Sequence, residues 1–228
     1  MVQKLGKIEK PSLAKFRHGR KLFCVPLIPY LQSEEAQEDF QEKVSLYWKQ
    51  ANEQVSNLEK VGKITCVYHE SITSNGESAM NAMKRINEKC YQFVKAKLEQ
   101  GARLEVVEDR ETLDEYLDWS ICLSVIGRSQ KVVNQIIDFQ GKVAKRRYDH
   151  IAKRIKETLE DDEAGLLIMT EENRMSLQSY LPSDIQVFLV RPPALNDVQR
   201  WLRDYMIERM KKENVEQKAE EFKDSPEK

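Results

Sequence analysis

The stretch Glu163-Ala164-Gly165-Leu166-Leu167-Ile168-Met169-Thr170-Glu171, followed at a distance by Ile185-Gln186-Val187-Phe188-Leu189-Val190-Arg191-Pro192-Pro193, decides the fold class. Each half is a short, nearly continuous apolar run that stops at polar or turn residues. A strand covered on both faces of a parallel sheet has this pattern, whereas a strand with one wet face alternates. Working outward, Leu22–Ile28, Ile64–Tyr68 and Arg103–Val107 read as three further strands, the first closed by Pro29.

Between these runs the apolar residues recur at spacings of three and four. Glu34–Lys60 places Phe40, Val44, Tyr47, Ala51, Val55 and Leu58 on one helical stripe that ends near Gly62. Ser78–Gln100 reads as one helix carrying Met83, Ile86, Cys90, Val94 and Leu98. Thr112–Ile126 is a helix so apolar from Tyr116 onward that it is expected either to be deeply buried or to form a homodimer interface. Gly127 interrupts it. Gln130–Leu159 is then a long helix in which Gly141 allows a bend. A short helix near Met175–Tyr180 and a last one from about Asn196 to Met210 complete the series. Strands alternating with helices predict an α/β protein: a mostly parallel sheet of about five strands with helices on both faces, a three-layer, Rossmann-like arrangement.

The expected organisation is a basic leader over 1–20 (Lys4, Lys7, Lys10, Lys15, Arg17, Arg20), one α/β domain over 21–210 with a sub-boundary near 127–130, and a charged tail over 211–228. Lys and Arg number 37 against 38 Asp and Glu, a formal net charge of -1, so no global field favours nucleic acid or an anionic membrane. No apolar run has the length of a membrane span, and Met1–Lys21 lacks a signal-peptide segment, which predicts a cytoplasmic protein. Cys24, Cys66, Cys90 and Cys122 have no close pairing and fall on apolar positions, as small buried hydrophobes do.

In a parallel sheet, ligands bind beyond the carboxyl ends of the strands. The residues that follow each strand are therefore the candidates: His69 and Glu70, then Glu108 and Asp109, then Glu171, then Arg191. His69, Glu70, Asp109, Glu171 and Arg191 predict a site for an anionic small ligand or a macromolecular partner. Arg191 is held by the stiff Pro192-Pro193 exit. An alternative uses Glu70, Asp109 and Glu171 to hold magnesium, with His69 as acid or base, in a phosphoester hydrolase. A further alternative is an RNA- or ribosome-associated factor that contacts phosphates through Lys142, Lys145, Arg146 and Lys153, with Arg147 and Arg154 widening the band. Ser74 or Asn75 is expected to cap a helix, and Trp201 to lie in the core with Val198, Leu202 and Tyr205. Neither a dinucleotide fingerprint nor a P-loop occurs.

Pro182-Ser183-Asp184-Ile185-Gln186-Val187-Phe188, Arg191-Pro192-Pro193-Ala194-Leu195 and Arg200-Trp201-Leu202-Arg203-Asp204 resemble an uncharacterised prokaryotic α/β family, a likeness that implies no activity. The run Glu157–Glu171 also resembles the last domain of class-1 release-factor and Pelota-like proteins, without their Gly-Gly-Gln peptide-release motif.

Overall fold

A computed structural model describes residue 16 and residues 18–28, 37–125 and 128–223. The basic positions Lys4, Lys7, Lys10, Lys15 and Arg17, and the interruption at Gly127, lie outside them. Five strands form the sheet: β1 (Lys21–Pro26), β2 (Ile64–His69), β3 (Arg103–Glu105), β4 (Ala164–Met169) and β5 (Gln186–Leu189). They run in the order β3-β2-β4-β1-β5, and every neighbouring pair is parallel. The predicted parallel α/β architecture is what the chain adopts. The connections carry α1 (Gln37–Leu58), α2 (Gly76–Ile86), α3 (Glu88–Glu99), α4 (Arg110–Val125), α5 (Gln130–Thr158), α6 (Glu171–Leu177) and α7 (Ala194–Lys223). Among the described residues no helix is long and apolar enough to cross a membrane.

Every residue of β1 and β4 is buried, as the apolar runs Leu22–Pro26 and Ala164–Met169 require of central strands, and Lys21 is buried with them. Leu22, Cys24, Cys66, Tyr68, Leu167 and Met169 point to one face and meet Tyr148, Ile151, Ala152 and Ile155 of α5 together with Leu177 of α6. Phe23, Val25, Val67, Leu166 and Ile168 alternate to the other face and are equally buried; there α3 packs on β2. Gly165 is required by this packing. A Cβ on it would stand 2.7 Å from Tyr68 Cε2 and 3.2 Å from Leu22 Cδ1. The Tyr68 hydroxyl thereby reaches Thr158 Oγ1 at 3.0 Å, tying the end of α5 to the sheet.

Two helical boundaries change. The segment read as one helix over Ser78–Gln100 is two, because buried Asn87 takes extended backbone (φ -161, ψ 105) and its side chain accepts from Cys90 N at 3.0 Å to cap α3. Its amide also donates to Ile28 O at 3.1 Å. Asparagine offers the backbone an alternative to the helical bond, which apolar spacing does not register. By contrast α5 passes Gly141 without a break, and α7 continues past Met210 to Lys223. The deep-burial expectation for Tyr116–Ile126 fails: Leu113 is the buried residue of α4, while Leu117, Ile121 and Val125 are 46%, 61% and 77% exposed. Cys24, Cys66 and Cys90 are buried free thiols, and Cys122 is half-buried.

The chain divides into two compact units, one of residues 1–30 with 52–190 and one of residues 31–51 with 191–228. The first contains the sheet. In the second, Trp201 lies 4.7 Å from Phe40 and stacks on Tyr205 at 5.2 Å, so it belongs to an aromatic cluster but stays half-exposed. Arg191 lies in this second unit and is exposed.

Candidate functional site

The strand order locates the place to examine. β2 and β4 are neighbours, yet β2 leads to β3 on one side and β4 leads to β5 on the other. Their carboxyl ends therefore form the switch point at which parallel sheets open a crevice. Here that crevice is filled. Glu70, the residue after β2, is buried, and its Oε1 accepts from Thr170 N at 2.6 Å while its Oε2 accepts from Asn173 Nδ2 at 2.8 Å. One carboxylate thus clamps the end of β2 to the start of α6, next to β4.

Arg147 of α5 completes the cluster. It sits four residues after Val143 and four before Ile151, on the buried stripe of the helix, and its guanidinium is as hidden as theirs. Its Nε and Nη2 form a fork on the Glu108 carboxylate, with Nε 3.0 Å from Oε2, and Nη2 also lies 3.8 Å from Glu70 Oε2. The ring of Tyr116 covers the guanidinium at 4.8 Å. Asn173 Oδ1 accepts from the Tyr148 hydroxyl at 2.8 Å, so α4, α5 and α6 converge on one polar knot above the strand ends. Ser71, with a left-handed φ of 70°, turns its N–H toward Glu108 Oε1 at 3.4 Å.

The electrostatics follow from two carboxylates sharing one guanidinium out of water. Burial raises the Glu70 pKa above the ordinary carboxylate value, against the pull of the Asn173 and Thr170 donors and of Arg147. Burial also works against the Arg147 charge, but Glu108 and then Glu70 more than offset it and leave the pKa raised. Tyr148 is pushed up to about 12, chiefly by burial. Arg147 Nη1 is buried with no hydrogen-bond partner.

The sequence candidates separate. Glu70 enters the knot. His69, one residue earlier, points to the opposite face of the sheet, donates from Nδ1 to the Glu70 carbonyl, and has Nε2 buried without a partner. Burial brings its pKa down to about 4, so near neutral pH it is an uncharged imidazole whose Nε2 is shut away from solvent. Asp109 is exposed, and its Oδ1 accepts from Thr112 N at 2.9 Å and Thr112 Oγ1 at 2.7 Å, capping α4. Glu171 opens α6 half-buried. The magnesium set is therefore not assembled: among the described residues no three His, Cys, Asp or Glu side chains are grouped to hold a metal ion. The member of the pair at 108–109 that turns inward is Glu108, and spacing alone did not distinguish it from its neighbour.

The basic band also resolves. Arg147 leaves it for the interior. Lys142 pairs with Asp138 at 2.7 Å, Arg146 with Glu115 at 2.5 Å and Lys153 with Glu157 at 3.9 Å, while Lys145 is exposed. Arg20, counted with the leader, holds Asp184 through Nε at 2.8 Å and donates to Lys156 O at 3.0 Å. Asn75 takes the cap position of α2, but neither its side chain nor that of Ser74 bonds the helix amides.

Residues of this cluster that the sequence did not place in it are Arg147, read as part of the basic band, with Asn173, Thr170, Tyr116 and Tyr148. For Arg147 a signal existed, since Val143, Arg147, Ile151 and Ile155 recur every four residues and a cation in that row is buried by position. No protein-family model, no curated protein and no solved structure matches the chain.

Proposed function

We propose that this chain is a binding protein whose working surface is the α4–α5 helical pair rooted at the carboxyl edge of the sheet, and that it docks a protein rather than a small anion. One observation carries this reading. Apart from Arg147 Nη1, the polar groups at the switch point are spent on one another, in the Glu70–Arg147–Glu108 and Asn173 contacts, whereas the helices they anchor expose Leu117, Ile121 and Val125. An anion entering beside Arg147 would meet two carboxylates and would have to displace one. An apolar stripe on a helix pair instead gains by being covered, at roughly 25 cal/mol per Å² removed from water.

The test replaces Ile121 or Val125 of the full chain by photoreactive p-benzoylphenylalanine, with Lys95 on the exposed side of α3 as the control position. Irradiation in cells is expected to give one adduct of defined mass from 121 and from 125 and none from 95. Equal, diffuse labelling from all three positions overturns the reading.

A further inference from the structure

The turn that carries the chain from β2 into α2 reads Thr73-Ser74-Asn75-Gly76-Glu77, and it holds the one asparagine in the sequence that is followed by glycine. Glycine at that place is dictated by the backbone. Gly76 sits at a left-handed φ of 63°, which costs a residue with a side chain, and a Cβ built on it would meet nothing within 4 Å. Asn75 and Gly76 are both exposed.

Asn75 occupies the cap position of α2 without acting as a cap. Its backbone is extended (φ -108, ψ 173) and its side chain makes no bond to the helix amides, while the Ser74 hydroxyl turns to Ser78 at 3.4 Å. Gly76, as the first residue of α2, has an N–H with no carbonyl to meet inside the helix. Rotation about ψ and χ1 of Asn75 brings its side-chain amide carbon onto that nitrogen, and no cap bond opposes the rotation. Asn87 and Asn173 are the opposite case. The Asn87 side chain accepts from Cys90 N and donates to Ile28 O, and that of Asn173 donates to Glu70 and accepts from Tyr148.

We infer that Asn75 is a modification site at which the native protein converts its own asparagine to aspartate and isoaspartate without an enzyme. The Gly76 nitrogen gives its proton to solvent base and attacks Asn75 Cγ. The new C–N bond closes a succinimide ring, the Cγ–Nδ2 bond breaks, and ammonia leaves with a proton taken from water. One water then opens the imide. Breaking the ring bond to Cγ gives aspartate, whereas breaking the bond to the backbone carbonyl carbon leaves the chain running through Cγ as isoaspartate. The two products act differently on α2. Aspartate keeps the chain length and sets a carboxylate at the positive end of the helix, where it is favourable. Isoaspartate adds a carbon to the main chain between Ile72 and Ala79, which are 2% and 0% exposed and hold both sides of the turn in the core. The added length is absorbed at the start of α2, so this product loosens the helix.

Peptide mapping of the full chain after incubation in mildly alkaline buffer tests the assignment, with a synthetic peptide of residues 71–80 as the unfolded reference. The folded chain is expected to deamidate at Asn75 within about three-fold of the peptide's rate, and about ten-fold or more faster than at Asn87 or Asn173. Asn75→Gln alters an exposed side chain without a cap bond, so it should fold as the wild type does and lose the modification, because its ring closes with one more atom and far more slowly. A folded chain more than about ten-fold slower than the peptide overturns the inference, since the fold would then protect the pair. Equal rates at Asn75, Asn87 and Asn173 overturn it too. Asn75→Asp, which is the aspartate product alone, is expected to leave amide exchange in α2 unchanged, while aged wild type shows a second, faster-exchanging population. Aged protein without that population overturns the loosening of α2.

Discussion

Arg147 and Glu108 form a two-point fork inside the protein, joining the middle of α5 to the turn that follows β3 across 39 residues of chain. Both side chains are essentially without solvent contact. The pair bears stability asymmetrically: formed, it does little more than offset its own desolvation, but broken, it strands a charge in the core. Arg147→Ala is therefore expected to cost about 3–5 kcal/mol of unfolding free energy, and Arg147→Met, which fills the space without a donor, to cost nearly as much because Glu108 and Glu70 remain. Guanidinium denaturation of the two variants checks this. A loss below 1 kcal/mol in both would mean the fork carries no stability.

Glu70 gives a pH signature with a definite sign. Its folded-state pKa is raised, so the folded chain holds the proton more tightly than the unfolded one, and stability falls as pH rises from the ordinary carboxylate value through the raised one. Glu70→Gln removes this slope. It also sets a glutamine NH₂ against Asn173 Nδ2, so at low pH, where the wild-type group is protonated, the variant should be the less stable by about 1 kcal/mol. Urea midpoints measured from pH 4 to 8 on both proteins test the expectation.

His69 acts with the opposite sign. Its pKa is lowered from 6.5 to about 4 by burial, so the unfolded chain takes up the proton first and the fold loses stability as pH drops through that interval. The full difference amounts to about 3 kcal/mol. His69→Gln, which cannot titrate, should flatten the acid limb of the stability profile between these two values, and an unchanged limb would assign the acid loss to other groups.

Gly165→Ala tests the close approach at the centre of the sheet. The added carbon would press on Tyr68 Cε2 at 2.7 Å, and Tyr68 is fully buried. The expected cost is about 1–3 kcal/mol. Combining it with Tyr68→Leu should recover part of the loss; strict additivity of the two substitutions would show that they do not compete for the same space.

Removing the Tyr148 hydroxyl should loosen α6 without unfolding the sheet. Tyr148→Phe deletes the 2.8 Å bond to Asn173 Oδ1, worth about 1 kcal/mol. Faster amide exchange in residues 171–177, with β1 and β4 unchanged, is the expected pattern.

The parallel sheet was legible in the sequence because β4 is apolar at every position and β1 from Leu22 onward, and only strands covered on both faces can bury such runs. The candidate site was legible in its location but less so in its members. Strand ends pointed to Glu70 directly, while Glu108 and Asp109 are adjacent acids of equal formal character, and only the direction of the backbone after β3 decides that one is buried and the other caps a helix. Arg147 was hidden by composition, since among so many basic neighbours its place in the row of Val143 and Ile151 carried the information and its charge did not. Asn173 gave no periodic signal at all, because its role is set by contacts across more than a hundred residues of chain with Glu70.

The unbroken course of α5 past Gly141 couples two registers that would otherwise be independent. Its carboxyl half is locked in rotation by Arg147 and Ile151, and its amino half presents Ile137 beside Leu117 and Ile121. Because the rod is continuous, one inserted or deleted residue near Gly141 would swing the outer half by about 100° while the inner half stayed fixed. Side chains on the outer surface can thus change without disturbing the inner half, but the number of residues between Ile137 and Arg147 is a gear ratio that cannot change by one.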